Sequence, residues 1–271
     1  MAANLLAAGF PLRVHNRSAG PEQPLLAHGA QLASSPADAA CGAALLCLCV
    51  SDDRAAEAVI AQAGPGLAPG SLVVDFSTIA PASSRALAER LASRQVAYID
   101  APVTGGTEGA RAGSLSVLVG GAAADLERAR PVLEVVGGRI SHLGPVGAGQ
   151  QAKAVNQVLV AGSYAAVAEA LALGQRLGLP MPQVCEALRA GAAGSWALDN
   201  RAANMLEGHF PLGFRLALHR KDLAIALEAA AETGLELPIS GLVAELEDDL
   251  LKAGHGNDDV SALARWFSRD R

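Results

Sequence analysis

Lys153 is the residue whose type and setting most directly suggest chemistry. It stands near the start of the proline-free stretch 150–177, which is rich in Ala, Leu, Gln and Glu and follows a pair of glycines, Gly147 and Gly149. Such a composition favours one long helix. Asn156 and Gln157 lie three and four positions after the lysine, so the three side chains share a helical face. A lysine beside two amides can give a proton to a reacting oxygen or help remove one. The same pattern also describes a solvated lysine at a helix start, and the stretch alone does not choose between them.

Other polar residues sit where strands should end. Asn16-Arg17-Ser18 follows a short apolar segment, and an arginine there can pair with the 2′-phosphate of a dinucleotide or be a surface residue in a turn. Val50-Ser51 and Ser77-Thr78 end two further apolar runs, where they serve either a ligand or the cap of the next helix. The segment Asp100-Ala101-Pro102-Val103-Thr104-Gly105-Gly106 places two glycines after a hydroxyl residue. A run of unobstructed backbone N–H groups of that kind can cradle a carboxylate, although two glycines also make a tight turn.

These loops need elements to hold them. Segments 12–15, 31–32, 43–50, 71–75, 97–100, 114–120 and 140–143 read as strands, with 43–50 apolar enough to be buried on both faces of a parallel sheet. Segments 1–9, 36–40, 53–63, 81–93 and 122–136 read as helices between them, the one at 81 capped at its start, and 18–30 as a turn poor in helix. The alternation is that of a doubly wound α/β domain. From residue 150 onward only helices are expected: the long one, then 181–190, 198–206, 219–233 and 239–253. The predicted boundary gives an α/β domain over 1–146 and an all-α domain over 147–271 that begins with the helix 150–177.

Composition narrows the function. The 271 residues are 51% hydrophobic but only 3% aromatic, so the core is built of Ala, Val and Leu. A net charge of −6 without a basic cluster speaks against nucleic acid as a partner. Neither the four cysteines nor the six histidines have metal-ligand or disulfide spacing, so no metal is expected and the cysteines read as reduced core thiols. No uninterrupted apolar run reaches membrane-span length and the N-terminus lacks signal-peptide features, so a cytoplasmic protein is expected. The Ala- and Leu-rich second half suggests an apolar face for a homodimer or homotetramer.

The series NRS, STIAP, DAPVTGG, GAGQQAKAVNQ and FRLALHRKDL, in this order and spacing, resembles the β-hydroxyacid dehydrogenases, the group of 3-hydroxyisobutyrate dehydrogenase and the glyoxylate and succinic-semialdehyde reductases. The resemblance implies a Rossmann-type NAD(P)-binding domain, then an all-α domain for substrate and dimerisation, joined by a long interdomain helix. Lys153 would be the catalytic lysine. Thr104, Gly105 and Gly106 would hold the substrate carboxylate, although Ser is commoner at the first position. Asn156 would orient the substrate, and Gln157 stands where Asn is common. Phe214 would line the pocket, and Lys221 and Asp222 would close over nicotinamide and substrate. Lys221 would also be a second cation near Lys153. Asn16, Arg17, Ser18, Val50, Ser51 and Thr78 would touch the cofactor, NADP in preference to NAD.

Family members open with a strand and a G-x-G-x-x-G diphosphate turn. This sequence opens with Met1-Ala2-Ala3-Asn4-Leu5-Leu6, which resembles the helix after that turn, so the first strand is expected to be missing. Two readings stay open: an oxidoreductase acting on a small 3-hydroxy acid or its aldehyde partner, and a non-catalytic dinucleotide-binding or dimer-scaffold homologue. Imine reduction on the same scaffold is a rival, but those relatives usually lack the lysine. Trp196 is read as core slightly in preference to pocket wall.

Overall fold

The computed structural model describes residues 1–268. The chain divides into two compact units, Met1–Lys153 and Ala154–Arg271. The first contains α1 (Ala2–Ala7), β1 (Arg13–Val14), α2 (Gln23–Leu26), β2 (Gln31–Leu32), α3 (Pro36–Ala40), β3 (Leu45–Leu48) and α4 (Asp53–Ala63). It continues with β4 (Leu72–Asp75), α5 (Pro81–Ala92), β5 (Ala97–Asp100), β6 (Val103–Thr104), α6 (Gly106–Ala112), β7 (Leu115–Gly120), α7 (Ala123–Val136) and β8 (Gly137–Gly144). The long helix α8 (Ala148–Arg176) runs on into the second unit, which adds α9 (Met181–Arg189), α10 (Trp196–Glu207), α11 (Leu216–Glu232), α12 (Pro238–Lys252) and α13 (Ala264–Phe267).

Strands β3, β4 and β5 are parallel, with Leu48 opposite Asp75 and Asp75 opposite Asp100. The sheet turns mixed after β5. β5 and then β6 run antiparallel to β7, separated by the kink at Ala101-Pro102, and β8 returns parallel to β7. β1 and β2 pair only with each other. Among the described residues β3 pairs along one edge only, and its burial, with Leu45 and Leu46 half-buried, Cys47 exposed and Leu48 buried, corrects the expectation of a strand buried on both faces. Cys47 and Cys49 are exposed there, as is Cys41, leaving Cys185 as the one buried thiol of the four.

Alternation along β4 and β5 divides the first unit's core. Leu72, Val74 and Ile99 face Leu5 of α1 and Leu126, Ala129 and Leu133 of α7. Val73 and Tyr98 face Ile60 of α4 and Leu87 and Leu91 of α5. Side chains at period two point to opposite faces, so one strand serves two helical layers. Asp75 and Asp100 fall on the Val73–Tyr98 side at the carboxyl ends of their strands. The start of α4 is capped as its sequence suggests, Asp52 Oδ1 accepting from Ala55 N at 2.8 Å. α5 departs from expectation: Ala80 at its N-cap makes no side-chain cap bond, and Pro81 at the first position starts the helix. The short helix α2 occupies a segment read as turn.

In the second unit, Ala161, Tyr164, Ala168 and Leu171 of α8 pack with Leu216 and Leu223 of α11 and Val243 and Leu250 of α12. A short 3₁₀ turn, Val260–Leu263, completes this core. Trp196 is 49% exposed, with the Arg201 guanidinium 4.6 Å from its ring centre, which corrects its assignment to the core. Among the described residues one helix, α8, is long and apolar enough to cross a membrane, with a mean hydropathy of 1.4. A core helix passes the same test, and α8 supplies the second unit's core.

Candidate functional site

In the first unit the polar groups converge on the start of α8. Asp100, fully buried at the end of β5, accepts from Gly147 N at 2.7 Å and from Gln150 N at 2.9 Å, one carboxylate oxygen to each. A carboxylate at this position satisfies N–H groups that have no partner within the helix and complements the helix dipole. Burial pushes its pKa up, and the backbone donors pull it back down. Gly149 allows the approach: a Cβ there would run into the Leu118 carbonyl and the Asp100 carboxylate.

One turn later comes Lys153, 7% exposed, whose Nζ donates to the Val103 carbonyl at 3.0 Å. That carbonyl precedes Thr104, so the lysine and the Thr104–Gly106 turn are neighbours, as the motifs required. Gly105 and Gly106 have φ of +131° and +65°. Those angles admit few residues besides glycine and turn the chain directly from β6 into α6, whose first N–H groups face the turn.

The loops after β3 and β4 are tied together. Val50 N donates to Ser77 Oγ at 2.9 Å, and Ser77 N donates to Asp75 Oδ1 at 2.8 Å. Tyr98 OH donates to Asp75 Oδ2 at 3.0 Å. Asp75 is completely buried, and desolvation raises its pKa to about 6. Ser51 is exposed beside Val50. After β1, Asn16 Nδ2 donates to Ser18 O at 2.6 Å and closes the exposed loop that carries Arg17.

In the second unit four of the expected residues form one chain of contacts. Asn156 Nδ2 donates to Gln157 Oε1 at 2.7 Å, and Gln157 Nε2 donates to Asp222 Oδ2 at 2.7 Å. Asp222 Oδ1 lies 2.7 Å from Lys221 Nζ. The charge of Lys221 is thus balanced within its own unit by the adjacent carboxylate. Phe214 sits edge-on to His219 at 5.7 Å, and its backbone N–H is held at 2.8 Å by the buried carboxylate of Asp259.

Sequence reasoning missed Asp75, Asp100, Gln150 and Asp259 as organising groups. Asp100 and Gln150 lay inside quoted motifs, so the signal was present; what it lacked was the partner in space. Another signal was rarity: the chain has three lysines, Lys153, Lys221 and Lys252, and two of them fall in the motifs. Among the described residues no group of His, Cys, Asp or Glu is arranged to hold a metal.

The comparisons with known proteins cover both units. Residues 1–144 match the NAD-binding domain of 6-phosphogluconate dehydrogenase, and residues 147–267 match the NAD-binding domain of NADP-dependent 3-hydroxyisobutyrate dehydrogenase. An NAD-dependent L-serine dehydrogenase of Pseudomonas aeruginosa is 39% identical over 98% of this chain and 93% of its own length. A 3-hydroxyisobutyrate dehydrogenase of the same organism is 38% identical over 91% of this chain and 86% of its own. The solved 3-hydroxyisobutyrate dehydrogenase of Mycobacterium tuberculosis with L-serine superposes with a TM-score of 0.89 at 30% identity, covering 99% of this chain and 94% of that one. Fold, motifs and relatives agree: the chain belongs to the β-hydroxyacid dehydrogenases, the NAD(P)-dependent oxidoreductases of small hydroxy acids.

Proposed function

We propose that Lys153 is the general acid/base of hydride transfer between NADP, with NAD as the alternative, and a small 3-hydroxy acid or its aldehyde or 2-oxo partner. The observation that carries this reading is the hold on Lys153: a lysine almost removed from solvent, its ammonium directed at the Val103 carbonyl beside the Thr104–Gly106 turn. A bound nicotinamide supplies or accepts the hydride. Reduction of a carbonyl builds negative charge on oxygen, which a nearby ammonium stabilises and protonates; oxidation runs the same proton in reverse. Thr104, Gly105 and Gly106 hold the substrate carboxylate, fixing the carbon that exchanges hydride. Asn156 and Gln157 orient the substrate, Phe214 lines its pocket, and Asp222 holds Gln157 and Lys221 in place.

The loops after β1, β3 and β4 fit the two ends of a dinucleotide. The exposed Asn16-Arg17-Ser18 turn offers a cation and amides to a 2′-phosphate, which supports NADP over NAD, while Val50, Ser51 and Thr78 serve the nicotinamide half. α1 begins at Ala2 with Met1 as its capping residue. The chain acts in the cytoplasm as a homodimer or homotetramer, without nucleic acid or membrane as a partner; exposed leucines along α8 support the self-association.

A substrate panel tests the reading. Oxidation of NADPH and NADH is followed with glyoxylate, succinic semialdehyde and tartronate semialdehyde, and the reverse reaction with L-serine and 3-hydroxyisobutyrate. Turnover of at least one pair, faster with the phosphorylated cofactor and with Arg17→Ala erasing that preference, is the expected result. Absence of turnover with every pair and both cofactors favours the non-catalytic scaffold.

A further inference from the structure

Gln150 is almost wholly buried, and its side chain reaches out of α8 to a loop more than seventy residues earlier. Its Nε2 donates to the Ser77 carbonyl at 2.8 Å, and its Oε1 accepts from Ile79 N at 3.3 Å. One amide thus brackets Thr78 on both sides, using the backbone groups of its two neighbours. The main-chain N–H of the same Gln150 is held by Asp100 Oδ2 at 2.9 Å, and Lys153 lies one helical turn further on. Ser77 is tied in turn to Val50 N and to Asp75.

We infer that Gln150 is a positioning residue that sets the Thr78 turn against the start of α8, so that one side chain fixes the loop on the cofactor side relative to Lys153. The inference rests on the reading of Lys153 and Thr78 given above. A side-chain amide suits the task because it carries a donor and an acceptor on one rigid plane, matching a carbonyl and an N–H two residues apart. Glutamate keeps the acceptor and loses the donor, and methionine loses both at nearly the same size. An effect transmitted through two neutral hydrogen bonds is modest, about fivefold to tenfold in an equilibrium constant for each bond lost. Asp100 is the second anchor, since it fixes the main chain from which Gln150 projects.

The test uses the full chain carrying Gln150→Met and Gln150→Glu. Two readouts need no cofactor. Amide hydrogen exchange reports whether Ile79 N–H is held, with β4 as internal reference. Labelling with [6-13C]lysine gives three side-chain signals, assigned with Lys153→Arg, Lys221→Arg and Lys252→Arg. For Gln150→Met the expected result is faster exchange at Ile79 with β4 unchanged, together with a displaced Lys153 signal and unmoved Lys221 and Lys252 signals. Gln150→Glu keeps the acceptor for Ile79 N–H and loses only the bond to the Ser77 carbonyl. Near-normal exchange at Ile79 with a displaced Lys153 signal is expected there, and that signal alone decides if the methionine variant fails to fold. In kinetics, KM for NADPH should rise and kcat should fall together. In Gln150→Met, wild-type exchange at Ile79 overturns the inference, and so does faster exchange with the Lys153 signal unmoved, which would make Gln150 only a brace for its loop. Lys153→Ala separates this from the parent reading: full activity in that variant removes the role of Lys153, while exchange and the lysine signals still decide the role of Gln150.

Discussion

At the residue scale, the first unit's carboxylates act through what they hold. Asp75 is surrounded by Ser77 N, Tyr98 OH and apolar wall, and burial outweighs those donors to leave its pKa near 6. An unfolded aspartate titrates near 3.9. Below about pH 4 both states hold the proton, and between about 4 and 6 the folded state keeps a proton that the unfolded chain releases. The stability contributed by protonated Asp75 is therefore present at low pH and lost as pH rises through about 6. Two pH units correspond to about 3 kcal/mol, an order of magnitude for a site this buried. Asp100 shifts in the same direction and adds to the slope. Asp75→Asn keeps an acceptor for Ser77 N and cannot ionise. Urea unfolding between pH 4 and 7 should show it gaining stability relative to the parent as pH rises; parallel curves would contradict the assignment.

At the element scale, α8 has two faces with different duties. Ala161, Tyr164, Ala168 and Leu171 are buried in the second unit. Val155, Leu159 and Leu173, with Leu177 just past the helix end, are 64%, 70%, 59% and 65% exposed. Residues 155 and 173 are 18 apart, as are 159 and 177, which is five full turns, so the four form one stripe. A stripe of large apolar side chains on a helix of this length is the signature of a self-association surface. The chain should elute as a dimer or tetramer in size-exclusion chromatography with light scattering, and Leu159→Glu with Leu173→Glu should yield a smaller species that keeps its helical circular dichroism. An unchanged mass would remove the stripe from the interface.

Most elements were legible because their signals are local. Pro36 behind Ser35, Asp52 before α4 and the apolar runs of β4 and β5 mark their own boundaries, and α3, α4 and β5 fall where the sequence placed them. Strand direction was not legible, since the alternation of β7 is the same whether its neighbour is parallel or antiparallel. The exposure of Cys47 and Cys49 was equally hidden, because it depends on what lies beside β3 and not on β3 itself.

At the scale of the whole molecule, the residues of the proposed site stand in motifs that the sequence displays, and the buried groups that pair with them do not. Lys153 and Thr104–Gly106 stand out by type and spacing, and Lys221-Asp222 only through the family resemblance. The buried groups behind them act across 45 to 73 residues: Asp100 with Gly147, Asp259 with Phe214, Gln150 with Ser77. Nothing in local sequence encodes such pairings. Lys153 is the residue on which the proposed chemistry depends most. Lys153→Ala, assayed with NADPH and the best substrate of the panel and checked for cofactor binding by fluorescence titration, is the most direct measurement. Turnover is expected to be abolished while cofactor affinity stays at the parent value. Retention of more than about a few per cent of activity, above the roughly 1% or less that the 10²–10⁴-fold loss of a missing general acid would leave, would contradict the assignment.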